Sequence, residues 1–293
     1  MSIYDLLRDI AKYFEHLQAQ GYYVAFHNLL IPMESCMTEL TPYNINSNPF
    51  CLLVKSSSAA WTHCIERQPK VLKACEKGAF CGMCYAGMGE AVFPIRDKEG
   101  QPVAFLSVSG YRLDEEQAMQ RIKAVAVRCG HSEEQIREAY FRHLKPEKPD
   151  LDKLAVQIAP LCRMFELLNM LLGGLSHGGA VDLTQNSILS HAVVYLRRHY
   201  AEQISASDVA QVCHCSVSTL SHLFKKKMGI SISRYVQELR MNDARRLLRD
   251  TDLPVNMVSD MLGYGNPNYF CNVFRQEAGM APTLFRAKHR RDV

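Results

Sequence analysis

The 293-residue sequence contains no apolar run long enough to cross a bilayer. Its longest, around Leu167–Leu175, falls well short of the roughly 20 residues that a spanning helix needs. The first twenty residues carry Asp5, Arg8, Asp9, Lys12 and Glu15, which leaves no room for an export-signal core. No phosphate-cradling glycine loop, H-E-x-x-H or G-x-S-x-G occurs, so no residue pattern motivates catalysis. Cysteine is plentiful, at 11, but an odd count without an export signal argues against a disulfide framework and for reduced thiols. These absences predict a cytoplasmic protein with no membrane partner and no enzymatic role.

The length suggests about two domains, and 47% hydrophobic residues are enough to build real cores. The net charge of +4 hides an asymmetry. From Asn186 onward there are 15 Lys+Arg against 9 Asp+Glu, whereas residues 1–185 have 19 against 21. A C-terminal part at +6 behind an N-terminal part at −2 points to one domain facing a polyanion.

In the N-terminal part, Ile3, Leu6, Leu7, Ile10, Phe14 and Leu17 predict an amphipathic helix ended by Gly21. Tyr22–Met33 reads as a strand running into a loop, and Ala59–Lys77 as a helix that Pro69 could kink. Glu90–Arg96 and Pro102–Gly110 form a hairpin around Asp97-Lys98-Glu99-Gly100. Helices follow at Asp114–Cys129 and Ser132–His143, the second opened by a Ser132…Gln135 capping pattern. Residues 1–145 are therefore expected to be one α+β domain.

Residues 146–180 read as a linker and a helix. Leu151, Leu154, Ile158, Leu161, Phe165, Leu168 and Leu172 repeat every three and four residues, an a/d seam. Such a seam either packs on its own domain or pairs two chains as a homodimer. Gly173-Gly174 and Gly178-Gly179 would form a hinge after it.

Cys51, Cys64, Cys75, Cys81 and Cys84 lie within 34 residues, and Cys81-Gly82-Met83-Cys84 is a C-x-x-C. Three readings stand: ordinary core thiols, a bound metal ion, or a redox sensor. Cys51, Cys64 and Cys84 are the candidate metal ligands. Phe50, Trp61, Cys84 and Tyr85 are the candidate contacts for a small ligand.

The C-terminal part, 186–293, contains an internal repeat. Ile204–Gly229 and Leu253–Arg290 each show a short helix, a tight turn and a second helix, with Phe224-Lys225 and Phe274-Arg275 fifty residues apart. In the first repeat Val217, Leu220, Leu223 and Phe224 are expected to face inward. Ser218, Thr219, Ser221 and His222 then face outward, able to reach base edges in a major groove. Lys225 and Lys226 would meet phosphates. In the second repeat Asn268, Cys271 and Asn272 face outward, with Arg275 at the end of the helix. The helix Ser231–Arg249, about 30 Å long at the standard rise, would hold the two readers on successive groove turns about 34 Å apart. The expected architecture here is an all-α domain with two helix-turn-helix units.

LGYGNPNYFCNVFRQEAGMAPTLFR, Leu262 to Arg286, resembles the signature of the AraC/XylS transcription regulators. That resemblance implies a seven-helix domain that binds double-stranded promoter DNA and activates transcription through RNA polymerase. His214 stands where a glycine or small residue is common, Ser259 replaces a usual alanine, and Cys271-Asn272 replaces a frequent serine-arginine pair.

Asn48-Pro49-Phe50-Cys51, Cys64, Cys84-Tyr85-Ala86-Gly87-Met88, Phe93-Pro94-Ile95 and Ser109-Gly110 resemble the PocR-type sensory domain. This implies a PAS-like sensor for a small-molecule effector such as a diol. Tyr85 departs from the pattern, since histidine often follows that cysteine. The expectation is a transcription regulator, an activator, controlled by a small ligand. The alternative is a regulator that answers to metal or redox state through the cysteines.

Overall fold

A computed structural model describes residues 3–28, 37–173 and 183–289. The chain divides into two compact units, Met1–Ser190 and His191–Val293.

The first unit is built on a four-stranded antiparallel sheet in the order β1-β4-β3-β2, with β1 Tyr23–Asn28, β2 Phe80–Met83, β3 Gly89–Arg96 and β4 Pro102–Tyr111. The β3–β4 turn forms because Asp97 Oδ1 accepts from the backbone N–H groups of Glu99 and Gln101, both at 2.9 Å, and Gly100 takes φ +79°. β2 is an addition to the expected elements.

Because side chains alternate across a strand, the sheet has two unlike faces. One is apolar: Val24, Phe26, Ala91, Phe93, Ile95, Ala104, Leu106 and Val108 share a core with helices α1 Ile3–Ala19 and α6 Leu151–Gly173. Leu7, Ile10, Phe14 and Leu17 of α1 enter that core at the expected helical spacing. So do Leu154, Ile158, Leu161, Phe165 and Leu168 of α6, and Phe165 stacks on Phe26 with ring centroids 4.6 Å apart. The seam of α6 is thus occupied within the chain, and pairing of two chains through these residues would require undocking the helix. Leu151 is exposed, the side chain of Leu172 lies outside the described residues, and so do Gly174, Gly178 and Gly179 of the expected hinge.

The other face alternates in register with the first. It carries His27, Glu90, Val92, Phe105 and Ser107, with His27 paired to Phe105 and Val92 to Ser107. α3 Ser58–Ala74, with Pro69 inside it, borders the cavity on this side. α2 Pro49–Val54, α4 Glu115–Cys129 and α5 Glu133–His143 complete the unit around Phe50, Ile122, Ile136 and Tyr140. Ser132 and Gln135 form the expected capping box of α5.

The second unit takes up most of α7 Leu183–His199, then α8 Ala206–Val212, α9 Val217–Met228, α10 Ile232–Asp250, α11 Val255–Met261, α12 Pro267–Ala278 and α13 Pro282–His289. The repeat extends to the caps. α9 and α12 are twelve residues each, begin after Ser216 and Asn266, end at Gly229 and Gly279, and bury Phe224 and Phe274 completely. In each pair a left-handed residue ends the turn after the short helix, His214 at φ +51° and Gly263 at φ +74°. Gly263 is sterically required: a Cβ there would lie 2.1 Å from the Ala201 carbonyl oxygen.

Arg240 of α10 anchors this region. Its guanidinium donates to the carbonyls of Tyr200 (2.6 Å), Glu202 (2.8 Å) and Gly263 (3.3 Å) and lies over the Tyr264 ring.

Candidate functional sites

On the polar face of the sheet, His27, Cys64, Cys84, Tyr85, Glu90 and Phe105 line part of a cavity of about 240 Å³. Val71 and Ala74 of α3, with Phe80 and Met83 of β2, give it an apolar wall, and Arg67, Gln68 and Lys70 stand on its α3 side. His27 Nε2 lies 3.0 Å from Ser107 Oγ. Its other ring nitrogen, Nδ1, is closed off from solvent with no hydrogen-bond partner among the described residues. Burial, reinforced by Lys55, lowers the His27 pKa to about 3, so the ring is neutral at physiological pH. Burial raises Glu90 to about 7, working against the attraction of Lys55 and Arg67.

Lys55 is buried. Burial opposes its charge, but the sulfur atoms of Cys51 and Cys64 and a hydrogen bond to Cys51 outweigh that and raise its pKa. Its ammonium therefore stays charged. Burial pushes the thiols of Cys51 and Cys84 upward, against the pull of Lys55 on Cys51.

Cys51, Cys64 and Cys84, the candidate metal ligands, are grouped around the Lys55 side chain. All three sulfurs act on the Lys55 ammonium, which already supplies a positive charge, and among the described residues no group of three Cys, His, Asp or Glu could hold a metal ion. Cys75 is buried in a small core with Val92 and Phe105.

The four candidate ligand contacts separate into two pairs. Cys84 and Tyr85 line the cavity. Tyr85 is fixed there because its hydroxyl donates to the Ala60 carbonyl at 2.9 Å. Phe50 is fully buried in the helical core, edge-on to Tyr140, and Trp61 donates its indole N–H to Ser187 at 3.0 Å. Neither lines the cavity. His27, Lys55 and Glu90 had no sequence signal: strand alternation puts His27 and Glu90 on one sheet face, and Lys55, at the end of α2, acts on both only through tertiary packing.

In the second unit, Ser218, Thr219, Ser221, His222, Lys225 and Lys226 are all exposed on α9, and Asn268, Asn272 and Arg275 on α12. Thr219 Oγ1 is tied to the Ser216 cap at 2.8 Å. Two expectations need correction. Cys271 is half-buried and packs against the core of its unit, and Val217, expected inward, is 42% exposed. Tyr269, 61% exposed in the first turn of α12, is a surface aromatic that the periodicity reading did not single out.

Two known families match separate stretches of the chain. The family described as "Sensory domain found in PocR" matches residues 20–164, and the one described as "Helix-turn-helix domain" matches residues 209–288. The regulatory protein PocR of Salmonella typhimurium is 27% identical over 257 residues, 82% of either chain. The transcriptional activator RhaS of an Enterobacter strain is 36% identical over 98 residues, 33% of this chain and 35% of that one. The regulator YijO of Escherichia coli is 34% identical over 95 residues, 32% of this chain. The chain thus spans about a third of the length of YijO and RhaS. Among solved structures, the C-terminal domain of AraT, a response regulator from Geobacillus stearothermophilus, matches at 27% identity over 36% of this chain and 88% of that one, with TM-score 0.35. The chain thus joins a PocR-type sensory domain to an AraC-type helix-turn-helix domain.

Proposed function

We propose that this chain activates transcription from promoters that it binds, under the control of a small effector held in the cavity between α3 and the polar sheet face. The observation that carries the effector site is the lining of the cavity, where the polar side chains of His27 and Glu90 stand with an apolar wall and would hold a ligand hydroxyl or similar group. The apolar wall would accept a short hydrocarbon part, and the 240 Å³ volume restricts the effector to a small molecule. On this reading the first unit is a PAS-like sensor, and the diol class that the PocR resemblance implies fits its size and polarity.

In the second unit, α8–α9 and α11–α12 act as two helix-turn-helix units that α10 holds on successive groove turns. Ser218, Ser221, His222, Asn268 and Asn272 read bases, while Lys225, Lys226 and Arg275 contact phosphates. RNA polymerase is the partner through which activation proceeds, and a homodimer forms through surfaces other than the buried seam. The naming of the RhaS relative as a transcriptional activator supports the sign of regulation.

Thermal unfolding of the full chain in the presence of propane-1,2-diol, glycerol, lactate and other short alcohols and acids tests the effector site. At least one compound should raise Tm, and the gain should vanish in His27→Leu. If no compound stabilises the wild-type chain, or if the gain persists in His27→Leu, this cavity is not the effector site.

A further inference from the structure

We propose that the hydrogen bond from Trp61 to Ser187 transmits the state of the cavity to the DNA-reading half. The inference rests on the reading of that cavity as the effector site. α3 serves two places along its length. Cys64, Gln68, Val71 and Ala74 form one wall of the cavity, while Trp61, one turn before Cys64, is buried and donates Nε1–H to Ser187 Oγ at 3.0 Å.

A second connection reaches the same point. Tyr85 lines the cavity and its hydroxyl holds the carbonyl of Ala60, the residue before Trp61. An occupant that moves Tyr85 or the α3 wall therefore acts directly on the backbone that carries the indole.

Ser187 belongs to α7, which runs without a break from Leu183 to His199, and the boundary between the two units falls inside this helix, after Ser190. Ser187 is in the part that belongs to the sensor unit; Ala192, Val193 and Leu196, in the other part, are buried. The continuous ladder of backbone hydrogen bonds makes a helix stiff along its axis, so a shift imposed at Ser187 reaches the start of the second unit. The indole is suited to this role. An apolar ring could fill the same space, but the indole N–H fixes the helix at one point because, once buried, it needs a partner. An effector that favours one position of α3 then favours one position of α7, which is how binding at one site shifts a population at another.

The test does not need the natural effector. Gly82 lines the cavity, and a Cβ there would meet nothing closer than the Phe80 ring at 3.7 Å, so Gly82→Leu adds a side chain beside the cavity as a surrogate occupant. Trp61 is the one tryptophan in the chain, so indole emission reports on this position alone. Full-length wild type, Gly82→Leu, Ser187→Ala and the double variant are compared for Trp61 emission and for affinity to a DNA fragment selected by the wild type from a random pool.

Gly82→Leu should shift the emission and change DNA affinity about fivefold or more. In the Ser187→Ala background the emission should still shift while the change in affinity is largely lost, and in the Trp61→Phe background, read by affinity alone, the change should be lost as well. An equal change in affinity with and without Ser187 overturns the transmission route and leaves the cavity reading intact. If Gly82→Leu, and Val71→Phe as a second filler, leave both emission and affinity unchanged in a folded chain, the cavity reading fails and the inference falls with it.

Discussion

His27 lies on its cross-strand neighbour Phe105 with ring centroids 4.4 Å apart and planes inclined by 21°. The stack keeps the imidazole neutral in the wall of the cavity that Glu90 also lines, and the Glu90 carboxyl has its pKa displaced the opposite way. His27 is lowered from 6.5 to about 3, so its contribution to stability is complete above pH 6.5 and is lost as pH falls towards 3. Glu90 is raised from 4.5 to about 7, so its contribution is present below pH 4.5 and is lost as pH rises through 7. Between pH 4.5 and 6.5 the two slopes oppose each other.

Melting temperature across that window should therefore be flatter in the wild type than in either single variant. Glu90→Gln should melt lower as the solution is acidified, and His27→Gln should melt lower as pH rises towards 7. Thermal unfolding from pH 4.5 to 7.5 checks this, and parallel profiles for all three proteins would contradict the assignment. Lys55, the cation that acts on both groups, keeps its charge throughout the window.

His214 holds a left-handed backbone that L-residues with a Cβ adopt at a cost of roughly 1–2 kcal/mol. Its counterpart in the second repeat is Gly263. His214→Gly should stabilise the chain by about 1 kcal/mol, read as a higher urea midpoint with unchanged slope. A lower midpoint would mean that the imidazole makes an interaction worth more than the strain.

Arg240 satisfies the carbonyls of Tyr200, Glu202 and Gly263 together. Arg240→Met keeps the length of the side chain and leaves those acceptors without their charged donor. A loss of about 2–3 kcal/mol is expected for the second unit, measured by denaturant unfolding. If the loss is under about 0.5 kcal/mol, typical of surface positions, water replaces the guanidinium and the anchor is unimportant.

The exposed residues of α9 and α12 can be sorted by the kind of DNA contact they make. Asn268→Ala or His222→Ala should relax preference at particular base pairs by about 1–3 kcal/mol if the contact is bidentate. Lys226→Ala should weaken binding to every sequence and reduce the slope of log K against log salt by about one. Titrations against selected and scrambled duplexes at several salt concentrations separate the two classes. A Lys226 variant that loses affinity for only one duplex would reverse the assignment.

Much of this was legible in the sequence because it rests on local chemistry. The helical spacing of Leu7, Ile10, Phe14 and Leu17, the Ser132–Gln135 capping box and the Asp97–Gly100 turn each need only neighbours in the chain. The two repeats were legible for a different reason: equal spacing of Phe224 and Phe274 repeats the same packing problem. What was hidden depends on assembly. β2 is four residues long with Gly82 inside it, too short for alternation to show. His27 and Glu90 are 63 positions apart in sequence and line one cavity only because β1, β4 and β3 pair in one sheet. Val217 and Cys271 departed from expectation because they lie at the margins of the apolar stripe, where a small rotation of the helix decides burial.

The docking of α6 has a practical consequence for anyone isolating the sensor. A fragment ended in the charged stretch Lys145–Asp150 would strip Leu154, Ile158, Phe165 and Leu168 from the sheet and leave Phe26, Phe93 and Leu106 facing water. An uncovered apolar sheet face of that kind drives aggregation. A soluble fragment must run past Leu168. By the same reasoning, limited proteolysis of the intact chain should spare α6 and leave it attached to the sheet.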